Sequence, residues 1–135
     1  MGSSSRSNAE GIDQLRAVLS PFDYEVIAVD VRQCLHLKSG CSYVGANSIL
    51  VNREWVDATR LAGFDLIDVP PSEPGAANAL LIENVVIVPS AFPQTITLLE
   101  SRGFNVKEID VSEFQKAEGG VTCKSVIFNS NDPES

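Results

Sequence analysis

The chain has 135 residues, a net charge of −8, an apolar fraction of 44% and a charged fraction of 21%. That size and balance fit one globular domain able to bury a core, and the absence of any Lys/Arg cluster argues against nucleic acid or anionic membrane as a partner. No apolar run reaches membrane-spanning length, and the first residues, Met1-Gly2-Ser3-Ser4-Ser5-Arg6-Ser7-Asn8, lack the apolar stretch of a signal peptide.

In chain order, the first predicted element is a helix over 9–19, with Asn8 as N-cap and Ile12, Leu15, Val18 and Leu19 on one face. A second helix is predicted over 53–62, with Trp55, Val56, Thr59 and Leu61 facing inward and Gly63 as its stop. A third spans 93–102, opened by Pro93 and ended by Gly103. Strands are predicted over 24–29, 33–37, 48–51, 64–69, 79–82, 85–88, 105–109 and 122–128. Val85-Val86-Ile87-Val88 is a continuous apolar run that suits a strand buried on both faces, and Glu83-Asn84 before it reads as a tight hairpin turn. One domain is expected over 1–129, followed by a flexible polar tail over 130–135.

The order of elements repeats. Gly63-Phe64 returns as Gly103-Phe104 and Ser72-Glu73 as Ser112-Glu113, both at a spacing of 40. Self-similarity at that period marks stacked supersecondary units, and about two and a half units of β-β-α-β type fit in this length. Glu73 and Glu113, at matching repeat positions, are expected to cap helices or form turns rather than do chemistry.

Cys123 follows a Gly-Gly bend, and His36 is the only histidine. A cysteine and one distant histidine are the minimum for thiol-based covalent catalysis. Cysteine is also among the most buried residue types, and a single histidine needs no functional explanation. Cys34, Cys41 and Cys123 show neither metal-type spacing nor a second histidine beside them, so no metal site, no cofactor and no disulfide framework are expected, and a reducing, cytoplasmic compartment fits better. Cys34 and Cys41 read as core or strand residues, and Asn78 as a residue that satisfies a loop backbone. Lys38 is either a solvated edge residue or a neighbour of the site.

Four segments occur in a telling order: Ser4-Ser5-Arg6-Ser7-Asn8-Ala9-Glu10-Gly11, Leu35-His36-Leu37-Lys38-Ser39, Glu73-Pro74-Gly75-Ala76-Ala77-Asn78-Ala79-Leu80, and Glu113-Phe114 through Gly119-Gly120-Val121-Thr122-Cys123. Together they resemble the guanidino-group-modifying enzymes, or penteins: arginine deiminases, amidinotransferases and dimethylarginine dimethylaminohydrolases. The Leu-His-Leu-Lys-Ser form, with Lys38 where the other branches carry Asp, and the 87-residue separation of His36 and Cys123 are similar to the dimethylarginine dimethylaminohydrolase branch.

The resemblance implies an α/β fold, a partial α/β propeller of β-β-α-β units around a pseudo-fivefold axis and about half of the full ring. It implies arginine metabolism: attack of the Cys123 thiolate on the guanidinium carbon of a methylated arginine, with His36 as acid and base. Arg6 would clamp the substrate carboxylate, and Glu118 stands where the family places an Asp against the guanidinium nitrogens. Family members are about twice as long, so the chain resembles their C-terminal half, with Gly2-Ser3-Ser4-Ser5 read as family sequence after a new start. The family's N-terminal half supplies further carboxylates that nothing here matches. The expectation is a hydrolase fragment completed by a second chain, either a homo-oligomeric copy or a complementary N-terminal half. The alternative is a non-catalytic binding or assembly protein on the same scaffold.

Overall fold

The computed structural model describes residues 1–128; the tail expected over 130–135, and the last residue of the expected domain, lie outside the described residues. The described residues fold into mixed α/β structure with three small sheets among them. In the first, β1 (Gly2–Ser3) runs parallel to β2 (Val29–Asp30), and the crossover between them is α1 (Ala9–Leu19). In the second, β3 (Cys41–Gly45) and β4 (Ser48–Val51) form a hairpin, and β5 (Asp65–Asp68) returns parallel to β4. In the third, β6 (Leu80–Ile82) and β7 (Val85–Pro89) form a hairpin, and β8 (Asn105–Ile109) returns parallel to β7 after α3 (Pro93–Ser101). The period of 40 read in the sequence falls on this recurrence: the Gly-Phe pairs immediately precede β5 and β8, and the Ser-Glu pairs follow them.

Each well-signalled element forms where its caps and pattern put it. Asn8 accepts the Gly11 N–H at 2.9 Å and opens α1. Pro93 starts α3, and the positive φ of Gly103 (86°) turns the chain out of it. Glu83, also at positive φ (53°), makes the turn between β6 and β7. Val18 departs from expectation: it stands 65% exposed, because α1 buries a narrow stripe centred on Ile12.

Four predicted elements are corrected by tertiary pairing. No helix forms over 53–62. Val56 bridges Val31, the Arg32 N–H donates to the Trp55 carbonyl (2.9 Å) and the Asp57 N–H to the Asp30 carbonyl (2.9 Å). The stretch therefore breaks into a turn over 53–55 closed on the Asn52 carbonyl, a bridge at Val56 and a 3-10 turn over Ala58–Leu61. Of the expected strand over 24–29, only Val29 lies in one. The expected strand over 33–37 is instead a bend leading to α2 (Leu37–Gly40), whose N-cap position is His36. Gly40 ends α2 against Val56, where a Cβ would collide with the Val56 side chain.

The segment that carries Cys123 is not a strand either. Val121–Lys124 is a 3-10 turn, and 125–128 is irregular, with Val126 86% and Phe128 78% exposed. A strand exists only by pairing, and no strand among the described residues pairs with this segment. The sequence reading also missed β3, whose turn uses Ala46 and Asn47 at φ 48° and 56°.

Two cores lie on opposite faces of the second sheet. Leu50 packs with Val44, Ile67, Val86, Val88 and Leu99, whereas Ile49 and Val51 pack with Val29, Val56 and Leu61. The strand buried on both faces is therefore β4; in β7 only alternate residues, Val86 and Val88, are buried before Pro89.

Glu73 is 5% exposed, and its carboxylate accepts the Gln94 N–H (2.9 Å), the Thr95 N–H (2.8 Å) and the Thr95 hydroxyl (2.7 Å). These are first-turn donors of α3 without intrahelical partners, so the expected capping role holds for Glu73. Its repeat counterpart Glu113 differs: it is exposed and pairs with Lys116 at 2.7 Å, beside α4 (Ser112–Gln115). Glu73→Ala, which strands these donors, is expected to cost about 2–4 kcal/mol in urea unfolding with an unchanged m-value. Glu73→Gln, which keeps one acceptor, should cost about half as much.

Candidate active site

The turn that carries Cys123 is built from local bonds and one buried anchor. Glu118 and Gly119 close the end of α4 by donating to Gln115 (3.0 Å) and Phe114 (2.9 Å), and Val121 is buried. Gly120 passes so close to Asn78 that a Cβ there would lie 2.5 Å from the Asn78 Cγ, so only glycine fits. Beyond it the Cys123 N–H donates to the Gly120 carbonyl (3.1 Å), and the cysteine is exposed.

Cys123, His36 and Glu118, distant in sequence, line one open cleft of about 830 Å³ together with Cys34, Ser39, Trp55 and Lys124. Cys123, Glu118, Ser39 and Trp55 also line an adjoining cleft of about 200 Å³, closed by Asn78, Phe92 and Gln115. A bond between the two halves of the site runs from the Lys38 Nζ to the Thr122 carbonyl, at 3.4 Å. Lys38 is exposed and also reaches the turn that carries Cys123, so both readings the sequence offered describe it.

Arg6 lies apart. It occupies the tip of a turn closed by mutual Ser4 and Ser7 backbone bonds (3.2 and 3.3 Å), and it lines a hollow with His36, Leu35 and Leu37 rather than the Cys123 cleft. His36 faces both cavities. Glu118 holds a left-handed backbone (φ 57°), a strained state for a residue with a Cβ and a recurrent mark of functional loops. Lys124 spreads over the Phe114 ring at 5.7 Å, which leaves its charge beside the cleft.

Sequence reading missed the walls of the site. Trp55 reads as a core residue of a helix but is half-buried at both clefts, and Phe92 and Gln115 carried no signal. The single tryptophan between a Glu and a Val was the one available cue. Among the described residues no cluster of His, Cys, Asp and Glu could hold a metal, and no helix is long and apolar enough to cross a membrane.

All three cysteines are free. Burial pushes the Cys41 thiol from its ordinary 9.0 up to about 11, and burial also raises Cys34, whose Sγ donates to the His36 carbonyl at 3.4 Å.

No protein-family profile matches the chain. It is 36% identical over 128 residues to N(G),N(G)-dimethylarginine dimethylaminohydrolase of Pseudomonas aeruginosa, covering 95% of this chain and 50% of that protein. It is 35% identical over 126 residues to the protein of the same name from Streptomyces coelicolor, covering 93% of this chain and 48% of that one. Its fold superposes on a cysteine-to-serine variant of the Pseudomonas aeruginosa enzyme complexed with citrulline, with a TM-score of 0.82, 33% identity, and 91% and 48% of the two chains covered. A dimethylarginine dimethylaminohydrolase adduct with S-methyl-L-thiocitrulline gives the same TM-score at 35% identity, with 91% and 48% covered. The chain therefore spans about half the length of the curated relatives it matches. The family resemblance carried by the motifs holds over nearly all of the chain.

Thiol reactivity follows from the burial. Iodoacetamide at pH 8 is expected to label Cys123 first, Cys34 more slowly and Cys41 only after unfolding, as peptide mapping would show. The unfolded chain ionises Cys41 near pH 9 while the folded one keeps it protonated to about 11. Stability should therefore fall between these pH values, by about 2 kcal/mol, and Cys41→Ala should flatten that slope in urea titrations.

Proposed function

We propose that this chain, a relative of dimethylarginine dimethylaminohydrolase over about half that enzyme's length, carries the nucleophile half of a guanidino-hydrolase site. The observation that supports this best is the convergence of Cys123, His36 and Glu118 on one cleft. The Cys123 thiolate attacks the guanidinium carbon of a methylated arginine. The carbon–nitrogen bond to the alkylamine breaks as His36 gives that nitrogen a proton, leaving a thiouronium on sulfur. His36 then takes a proton from water, which adds to the same carbon; the carbon–sulfur bond breaks, releasing citrulline and the thiolate. A guanidinium is a poor electrophile, so a soft thiolate nucleophile is the fitting reagent. Glu118 holds guanidinium nitrogens, and Arg6 pairs with the substrate carboxylate from the neighbouring hollow, which shares Leu35 and His36 with the cleft.

On this reading the three strand–crossover–strand groups are consecutive units of a ring around a pseudo-fivefold axis, with the clefts facing its centre. A planar cation and a catalytic imidazole both require carboxylates; Glu118 supplies one, and the further ones come from beyond these residues. Their source is a complementary half, on a longer polypeptide or a separate chain, or a second copy. Three free thiols suit the reducing cytoplasm.

Citrulline and dimethylamine should form from asymmetric dimethylarginine when the chain is assayed with a complementary N-terminal half. Cys123→Ser should cut kcat by at least about 10³-fold, and equal rates for the two proteins would overturn the reading. Glu118→Gly relieves the left-handed strain, so it should stabilise the fold by about 0.5–1 kcal/mol. The same change should raise KM roughly tenfold through loss of the carboxylate.

A further inference from the structure

Little apolar packing holds Cys123 in place. The turn over Val121–Lys124 is four residues long, only Val121 in it is buried, and the segment after it is exposed. What fixes the peptide entering Cys123 is polar. The Thr122 N–H (3.2 Å) and hydroxyl (3.1 Å) both donate to the Asn78 Oδ1, and the Thr122 carbonyl accepts from Lys38, two residues from His36.

Asn78 is itself unusually well held. It is 6% exposed, and its backbone N–H donates to the Gly75 carbonyl (3.3 Å). The Ser42 hydroxyl brackets it, donating to the Ala77 carbonyl (2.7 Å) and accepting the Ala79 N–H (3.1 Å). Its loop is tied further by the Asn52 amide to the Pro74 carbonyl (3.1 Å) and by Glu73 to α3. Gly120 lies flush against its amide. A buried side chain carried on a backbone so fixed, and packed against Gly120, serves as a template for the turn it bonds.

We propose that Asn78 is a positioning residue for the nucleophile: its side-chain carbonyl sets the Thr122–Cys123 peptide so that the thiol meets a guanidinium held beside His36. This rests on the hydrolase reading above and adds a residue whose effect passes through Thr122.

The test, run with the complementary N-terminal half present, compares alkylation of Cys123 by a haloacetamidine, a guanidinium mimic, with alkylation by neutral iodoacetamide. Wild-type protein should favour the amidine over iodoacetamide relative to a small free thiol. Asn78→Ala should lower the amidine rate about tenfold, with the iodoacetamide rate within about twofold of wild type. Asn78→Asp, which keeps the acceptor, should restore the amidine rate to within about threefold on the pH plateau. Thr122→Val removes one of the two bonds without touching the buried loop and keeps the test decisive should Asn78→Ala fail to fold. It should lower the amidine rate about threefold, with Thr122→Ser restoring it. Unchanged selectivity in Asn78→Ala or Thr122→Val, Asn78→Asp as slow as Asn78→Ala, or parallel loss with both reagents would overturn the positioning role alone. A wild-type thiol with no preference for the amidine would overturn the hydrolase reading, and this role with it.

Discussion

The interaction on which much of this structure depends is the buried carboxylate of Glu73 against the first turn of α3. A helix start presents donors that nothing within the helix can satisfy, and a carboxylate is the strongest acceptor a chain can offer them. Glu73 stands just after β5, in the second sheet's unit, while α3 is the crossover of the third. One buried side chain therefore ties together two repeats that also meet through apolar packing of Val44, Leu50 and Ile67 against Val86, Val88 and Leu99, and through the more exposed Gln94–Ser72 and Arg102–Asp65 contacts. Apolar contact is tolerant of sliding; three hydrogen bonds to one buried group are not.

That joint also reaches the site. The residues after Glu73 run straight into Asn78, and Asn78 meets the turn of Cys123. From the opposite side Lys38 reaches the same peptide from the helix that begins at His36. The thiol and imidazole are thus referred to one another through protein bonds, even though Cys123 is exposed and its segment unpaired among the described residues. Arg6 stands outside this network, in a separate hollow that shares His36 with the cleft.

Legibility in the sequence tracked how local the determining force was. Asn8, Pro93 and Gly103 act on neighbours in the chain, so the helices they bound were readable. The same holds for the Glu83-Asn84 turn, and the 40-residue period marked the two matching units. Residues 53–62 carry an apolar helical pattern, yet Val31 claims Val56 as a bridge partner and the pattern loses. Residues 122–128 have strand composition without a strand beside them. The β3 turn needed Ala46 in a left-handed backbone that its side chain disfavours, a cost that only the assembled hairpin offsets.

By itself the sequence determined which chemistry is present: one histidine, one cysteine after a Gly-Gly bend, an arginine and a glutamate in family order, and a repeat that sets strand order. These are properties of residue type and spacing, which a string records. Only the tertiary structure decided that His36, Glu118 and Cys123 share a cleft while Arg6 does not, and that Asn78 and Lys38 grip the Thr122–Cys123 peptide. It also decided that Trp55 walls the cavity while its other side packs against the second core. Bonds between residues 44 and 84 positions apart are fixed by how the sheets pack, and no local pattern encodes them.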